Sequence, residues 1–149
     1  MATQTPLSLK GRALRLLGAR EHSRDELECR LGQFEQEPGS LAKALDELQA
    51  KGFINEQRVL ESVLNRRSAK LGVARIRQEL QGKGLASEAV MDAVEQLRST
   101  EVERAREVWR KKFGQPPVDA AQRGKQMRFL ASRGFGGDAI RRVVTGGDD

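Results

Sequence analysis

Self-similarity at an almost constant spacing restricts this chain more than any other feature, because it requires the fold to be built from copies of one small unit. Between the first and second thirds the offset is 49 residues: Leu27 and Leu31 map to Ile76 and Leu80, and Leu41, Ala44, Leu45 and Leu48 map to Val90, Ala93, Val94 and Leu97. An offset of 50 then relates the second third to the last, pairing Leu80 with Leu130, Lys83 with Arg133, Gly84 with Gly134, Leu85 with Phe135, Glu88 with Asp138, Ala89 with Ala139 and Val90 with Ile140. The copies are imperfect. Gln126 falls where Ile76 sits, and the turn after Leu31 differs from its counterparts.

Each copy reads as three helices. Ala13, Leu14, Leu16 and Leu17 mark the apolar face of the first, and Ser23-Arg24-Asp25-Glu26 has the spacing of a capping box that starts the second near Arg24. Pro38-Gly39-Ser40 leads into a third helix carrying Leu41, Leu45 and Leu48, which stops at Lys51-Gly52, where glycine can turn left-handed. Asn55 is the expected cap of the next unit, whose helices carry Val59 and Val63, then Ile76 and Leu80, then Ser87 to Leu97, with breaks near Gly72 and at Lys83-Gly84. The last unit has Val108, Trp109 and Phe113, a break at Gly114 to Pro117, a helix around Met127 and Leu130, a stop at Arg133-Gly134 and a short helix around Ile140 and Val143. The expected architecture is all-α: three tandem three-helix repeats over 8–54, 55–98 and 99–145, forming an elongated, curved array with flexible ends at 1–7 and 146–149. Composition agrees, since there is no Tyr and Ala, Leu, Glu, Arg, Gln and Lys dominate between glycines.

Charge is distributed unevenly over these copies. Residues 1–54 hold 8 Lys/Arg and 8 Asp/Glu, residues 55–98 hold 8 and 6, and residues 99–149 hold 11 and 7, so net charge rises from 0 to +2 to +4. Such a gradient points to a polyanionic partner. The cations offered for it are Arg66, Arg67, Lys70, Arg75, Arg77 and Lys83 in the middle copy and Arg110, Lys111, Arg128 and Arg133 in the last. Arg67 with Lys70, or Arg106 with Arg110, has the spacing of one helix face.

Little else carries chemistry. Gly82-Lys83-Gly84 follows a helix and lacks the Ser/Thr of a phosphate-binding loop, so it reads as a helix stop. His22 is the single histidine and Cys29 the single cysteine, which excludes an internal disulfide and a multi-thiolate metal site. Cys29, between Leu27 and Leu31, reads as a small, partly buried residue, and Trp109 and Phe113, at the places of Val59 and Val63, as core. No cofactor, metal or catalytic site is expected, so the chain reads as a binding protein and not an enzyme. One free cysteine fits a reducing cytoplasm, no apolar stretch reaches the roughly 20 residues of a membrane span, and the N-terminus lacks the apolar core of a signal peptide.

The segment from Gly72 to Leu85, GVARIRQELQGKGL, resembles the signature of the RecX regulatory proteins, a G-x-x-R-I-x-x-E-L-x-x-K-G-[IL] pattern. Ser23 to Leu31 and Leu48 to Asn55 resemble that family's first repeat, and Phe129 to Phe135 its third, so the likeness runs over roughly residues 8 to 145. Two positions depart from it: Val73-Ala74, where the family often has proline, and Ala86, where a capping Ser is common. The resemblance implies three tandem three-helix repeats and a modulator, usually an inhibitor, of the RecA recombinase; the protein itself is expected to be a cytoplasmic monomer. Such proteins lie on the RecA filament on single-stranded DNA and suppress its ATPase, strand-exchange and co-protease activities, with effects on recombination and the SOS response. The residues alone leave open a helical nucleic-acid-binding regulator that acts without RecA.

Overall fold

The computed structural model describes residues 7–146. The expected flexible ends therefore lie outside the described residues, apart from Leu7 and Gly146. Among the described residues there are nine α-helices and no strand: α1 (Leu9–Ala19), α2 (Arg24–Leu31), α3 (Ser40–Ala50), α4 (Glu56–Arg67), α5 (Val73–Gly82), α6 (Glu88–Gln96), α7 (Glu101–Lys112), α8 (Ala120–Ser132) and α9 (Gly137–Thr145), with 3-10 turns at Gly32–Phe34 and Leu97–Thr100. The chain forms two compact units, one of residues up to Ser62 together with Lys83–Leu85, the other of Val63–Gly82 together with the residues from Ala86 onward.

In the first unit, Ala13, Leu27, Leu31, Leu41, Leu45, Leu48 and Ile54 form the core, and Leu16 and Leu17 pack against it. A fully buried leucine of this kind contributes about 2 kcal/mol. Leu14, expected on the same face, is 36% exposed, because it lies about 100° around the helix from the buried Ala13. Cys29 is likewise exposed, not partly buried. It stands two residues from both Leu27 and Leu31, which puts it on the opposite side of α2.

The caps follow the sequence. Ser23 Oγ accepts from the Glu26 N–H at 3.1 Å while Glu26 Oε1 accepts from the Ser23 N–H at 3.1 Å, completing the capping box. Asn55 Oδ1 accepts from the Arg58 N–H at 3.0 Å, and Ser87 Oγ from the Val90 N–H at 3.3 Å, so the serine after Ala86 caps α6. The turn after Leu31 differs because Gly39 precedes α3 without a side chain; Glu35 Oε2 accepts from the Leu41 N–H at 2.8 Å instead. Gly52, Gly84 and Gly134 end their helices at φ of 83°, 77° and 88°, the left-handed stop read from the repeat.

Glu26 does more than cap. Its carboxylate also receives Arg20 Nη2 at 2.7 Å and Lys83 Nζ at 3.2 Å, and Glu26 and Lys83 side chains are only 14% and 15% exposed. Burial pushes this carboxyl up, but hydrogen bonds from Arg20, the Ser23 N–H and Lys83 outweigh it and hold the pKa at about 2, below an ordinary 4.5. A pKa lowered by folding adds stability that is complete above pH 4.5 and is lost as pH falls toward 2, a difference of roughly 3 kcal/mol. Glu26→Gln is expected to flatten stability between pH 5 and pH 2.5, read by urea denaturation at a series of pH values. Parallel pH profiles for the two proteins would exclude this role.

In the second unit Ala105, Leu130, Phe135, Ala139, Ile140, Val143 and Val144 form one core cluster, and Val73, Ile76, Leu80, Val90 and Val94 are also buried. The substitution of Gln126 for an apolar residue is compensated locally. Gln126 is 5% exposed; its Oε1 accepts from Trp109 Nε1 at 2.8 Å and its Nε2 donates to the Gln115 carbonyl at 3.1 Å. Trp109 packs against the core as expected. Where α5 begins with Val73 in place of a proline or a side-chain cap, the Val73 N–H donates to Glu101 Oε1 at 2.9 Å, and Glu101 is itself 7% exposed.

Candidate nucleic-acid interface

The second unit gathers cations around one aromatic ring. Arg104, on α7, makes this possible. Its guanidinium donates to the carbonyls of Ser68 at 2.8 Å, Leu71 at 2.7 Å and Leu97 at 3.0 Å, tying the segment that follows α4 to α7. Burial lowers the Arg104 pKa from its ordinary value, opposed by nearby Glu101, and the three carbonyls replace the lost water. Lys70 is thereby carried beside the α7 face that bears Glu107, Val108 and Lys111. Arg67 and Lys70 do not share a helix face, since α4 ends at Arg67 and Lys70 belongs to the turn beyond it.

Lys70, Glu107, Lys111, Lys112, Phe129 and Arg133 line an open groove of about 360 Å³. Phe129, on α8, is half-buried and held edge-to-face by Phe113, with ring centroids 5.4 Å apart at 88°. Lys112 Nζ stands 5.5 Å from the Phe129 centroid and Arg133 Cζ 5.0 Å, both within cation–π range. The groove's carboxylate, Glu107, is paired with Arg110 at 2.5 Å and lies 4.0 Å from Lys111. The Arg110 hydrogen bond holds the Glu107 carboxyl below its ordinary range, so it remains ionised. Four cations against one carboxylate leave a positive rim over a partly exposed ring. Cations that track phosphates beside a ring on which a base stacks are the elements of a single-strand binding surface.

Of the ten cations read from the sequence, the structure brings Lys70, Lys111 and Arg133 into this groove, with Arg110 paired to its edge. Arg66 is exposed on α4. Arg67 pairs with Glu79 at 3.2 Å, Arg77 with Glu95 at 3.0 Å, and Arg75 donates to the Ser132 carbonyl at 2.6 Å. Lys83 pairs with Glu26 in the first unit. Arg128 lines a separate shallow depression with Met127, Ile140 and Arg141. Phe129 was not singled out by sequence reasoning, although Phe129 and Arg133 have the i,i+4 spacing that brings a cation over a ring. His22 is 1% exposed, with Nδ1 3.0 Å from the Arg20 carbonyl, and burial pushes its pKa down. Among the described residues no cluster of His, Cys, Asp or Glu has the arrangement of a metal site, and no helix is long and apolar enough to cross a membrane.

A family model described as the third three-helix domain of RecX matches residues 99–144, the span of α7 to α9. A regulatory protein RecX from Leptothrix cholodnii is 53% identical over 145 residues, which cover 97% of this chain and 92% of that protein. The chain belongs to the RecX family of regulatory proteins. A RecX from Ralstonia nicotianae is 41% identical over 143 residues, covering 96% of this chain and 90% of its own length. These relatives are named as regulatory proteins and not as enzymes. The RecX fold is common to distant members: the crystal structure of a regulatory protein RecX matches with a TM-score of 0.74 at 18% identity over 93% of this chain and 72% of that one. That of RecX from Lactobacillus salivarius matches with 0.71 at 19% identity over 93% of each.

Proposed function

We propose that this RecX-family protein binds the RecA filament on single-stranded DNA and inhibits its ATPase, strand-exchange and co-protease activities, thereby restraining recombination and the SOS response. The observation that carries this reading is membership of the RecX family over 97% of the chain. The groove around Phe129 supports it with a surface suited to a single strand, lying on the α7 to α9 segment matched by the family model. On this reading Lys70, Lys111 and Arg133 meet DNA phosphates, whereas Arg67, Arg75, Arg77 and Lys83 act first through their internal partners. The protein acts as a cytoplasmic monomer and needs no cofactor.

The test is ATP hydrolysis by RecA on single-stranded DNA. The rate is expected to fall by at least about tenfold as the protein approaches stoichiometry with RecA, the scale of a modest coupling free energy. An unchanged rate at equal concentrations would remove RecA as the target. Tight, salt-sensitive binding to DNA alone with no effect on RecA would instead support a regulator that acts on nucleic acid directly.

A further inference from the structure

The first unit has its own groove, of different chemistry. The Arg20, Arg24 and Arg58 guanidiniums of that unit pair with Glu26, with Glu28 and Asp46, and with Glu21. Among the described residues no carboxylate pairs with Arg12, Arg15 or Arg30, and these three border a single groove of about 370 Å³. Its walls are apolar. Leu7 is 41% exposed and Phe34 38%, and Leu16 packs beneath them against the core.

We propose that this groove is a docking site for an acidic peptide segment of a partner protein that carries an apolar side chain among its carboxylates. Unpaired guanidiniums bind carboxylates with two parallel hydrogen bonds, and an apolar wall between them takes the anchoring side chain. The same features disfavour nucleic acid. One face of the Phe34 ring is occupied by the Arg12 guanidinium, 3.8 Å from its centroid, and a nucleotide has no aliphatic group to set against Leu7, Leu16 and Leu31. The site is separate from the Phe129 groove and requires no RecA.

The experiment uses the full-length protein and a fluorescein-labelled synthetic peptide of alternating Glu and Asp with one central Phe, followed by anisotropy. Saturable binding is expected, weakened on the order of tenfold in the Arg15→Glu/Arg30→Glu double variant and by a similar factor when the peptide's Phe is replaced by Ser. Gln33→Glu, which adds one negative charge at the groove and gives up only the 3.3 Å hydrogen bond from Gln33 Nε2 to the Arg30 carbonyl, should also weaken it. Circular dichroism melts establish that each variant is folded. Binding of a labelled oligo(dT) by the same variants should change less than about twofold, as expected for separate sites. Three results would overturn the proposal: no saturable peptide binding, binding indifferent to the variants, or a loss of oligonucleotide binding as large as the loss of peptide binding.

Discussion

Reversing charge at Lys70, Lys111 and Arg133 together is expected to weaken binding of single-stranded oligo(dT) by on the order of a hundredfold at low salt, and by less as salt rises. All three side chains are exposed and line the groove around Phe129. None is a principal internal tie: Lys111 lies 4.0 Å from Glu107, which Arg110 holds more closely, and Arg133 reaches only the Phe129 ring. The triple variant should therefore keep its helical circular dichroism signal while losing affinity. Reversing Arg128 and Arg141, which line a different depression of the same unit, shifts net charge by four units against six and should cost far less than that ratio implies. Equal losses per charge reversed in the two sets would mean that net charge, and not this groove, governs binding. Fluorescence anisotropy at two salt concentrations separates these outcomes, and inhibition of the RecA ATPase should fall in parallel with affinity.

Gly72→Ala is expected to lower stability by about 3 kcal/mol and the melting temperature by about 10 °C. The Gly72 N–H donates to the Arg133 carbonyl at 2.8 Å, and a methyl group added at its Cα would stand 2.3 Å from the Gly134 oxygen and 2.5 Å from the Phe135 nitrogen. These are backbone atoms of a helix stop and cannot rotate aside. Accommodating the methyl must separate the start of α5 from the end of α8, which also strains the bond from the Val73 N–H to Glu101. Gly82→Ala is the control: it meets nothing within 4 Å and should be neutral or stabilising by up to about 1 kcal/mol. If the two variants melt within a degree of each other, the close approach at Gly72 is not what holds these elements together.

The repeat was legible because its marks are local. A capping box, a left-handed glycine and leucines four residues apart are set by neighbours in the chain, so Ser23, Gly84, Gly134, Leu27 and Leu31 could be placed from spacing alone. Leu14 and Cys29 were misplaced by a finer error of the same kind, since the face of a short helix depends on which of several adjacent residues points inward. The groove was less legible. Lys70, Lys111 and Arg133 meet because Arg104 ties carbonyls 33 and 36 residues away, and nothing in a list of cations marks one as an anchor and another as free. Lys83 has the same cause: its partner Glu26 lies 57 positions earlier, and its role in the fold rests on that pairing.

The placement of Lys83–Leu85 in the first compact unit bears on how such a chain can have evolved. Duplication explains three copies, but the copies are no longer interchangeable bricks. A fragment ending at residue 54 would retain Glu26 while losing Lys83, and would leave the Asp25 carboxylate without the Gly84 backbone packed on it. Loss or shuffling of the middle copy would damage the first as well. The ancestry written in the 49- and 50-residue offsets is therefore modular, while inheritance of the present fold is all or none.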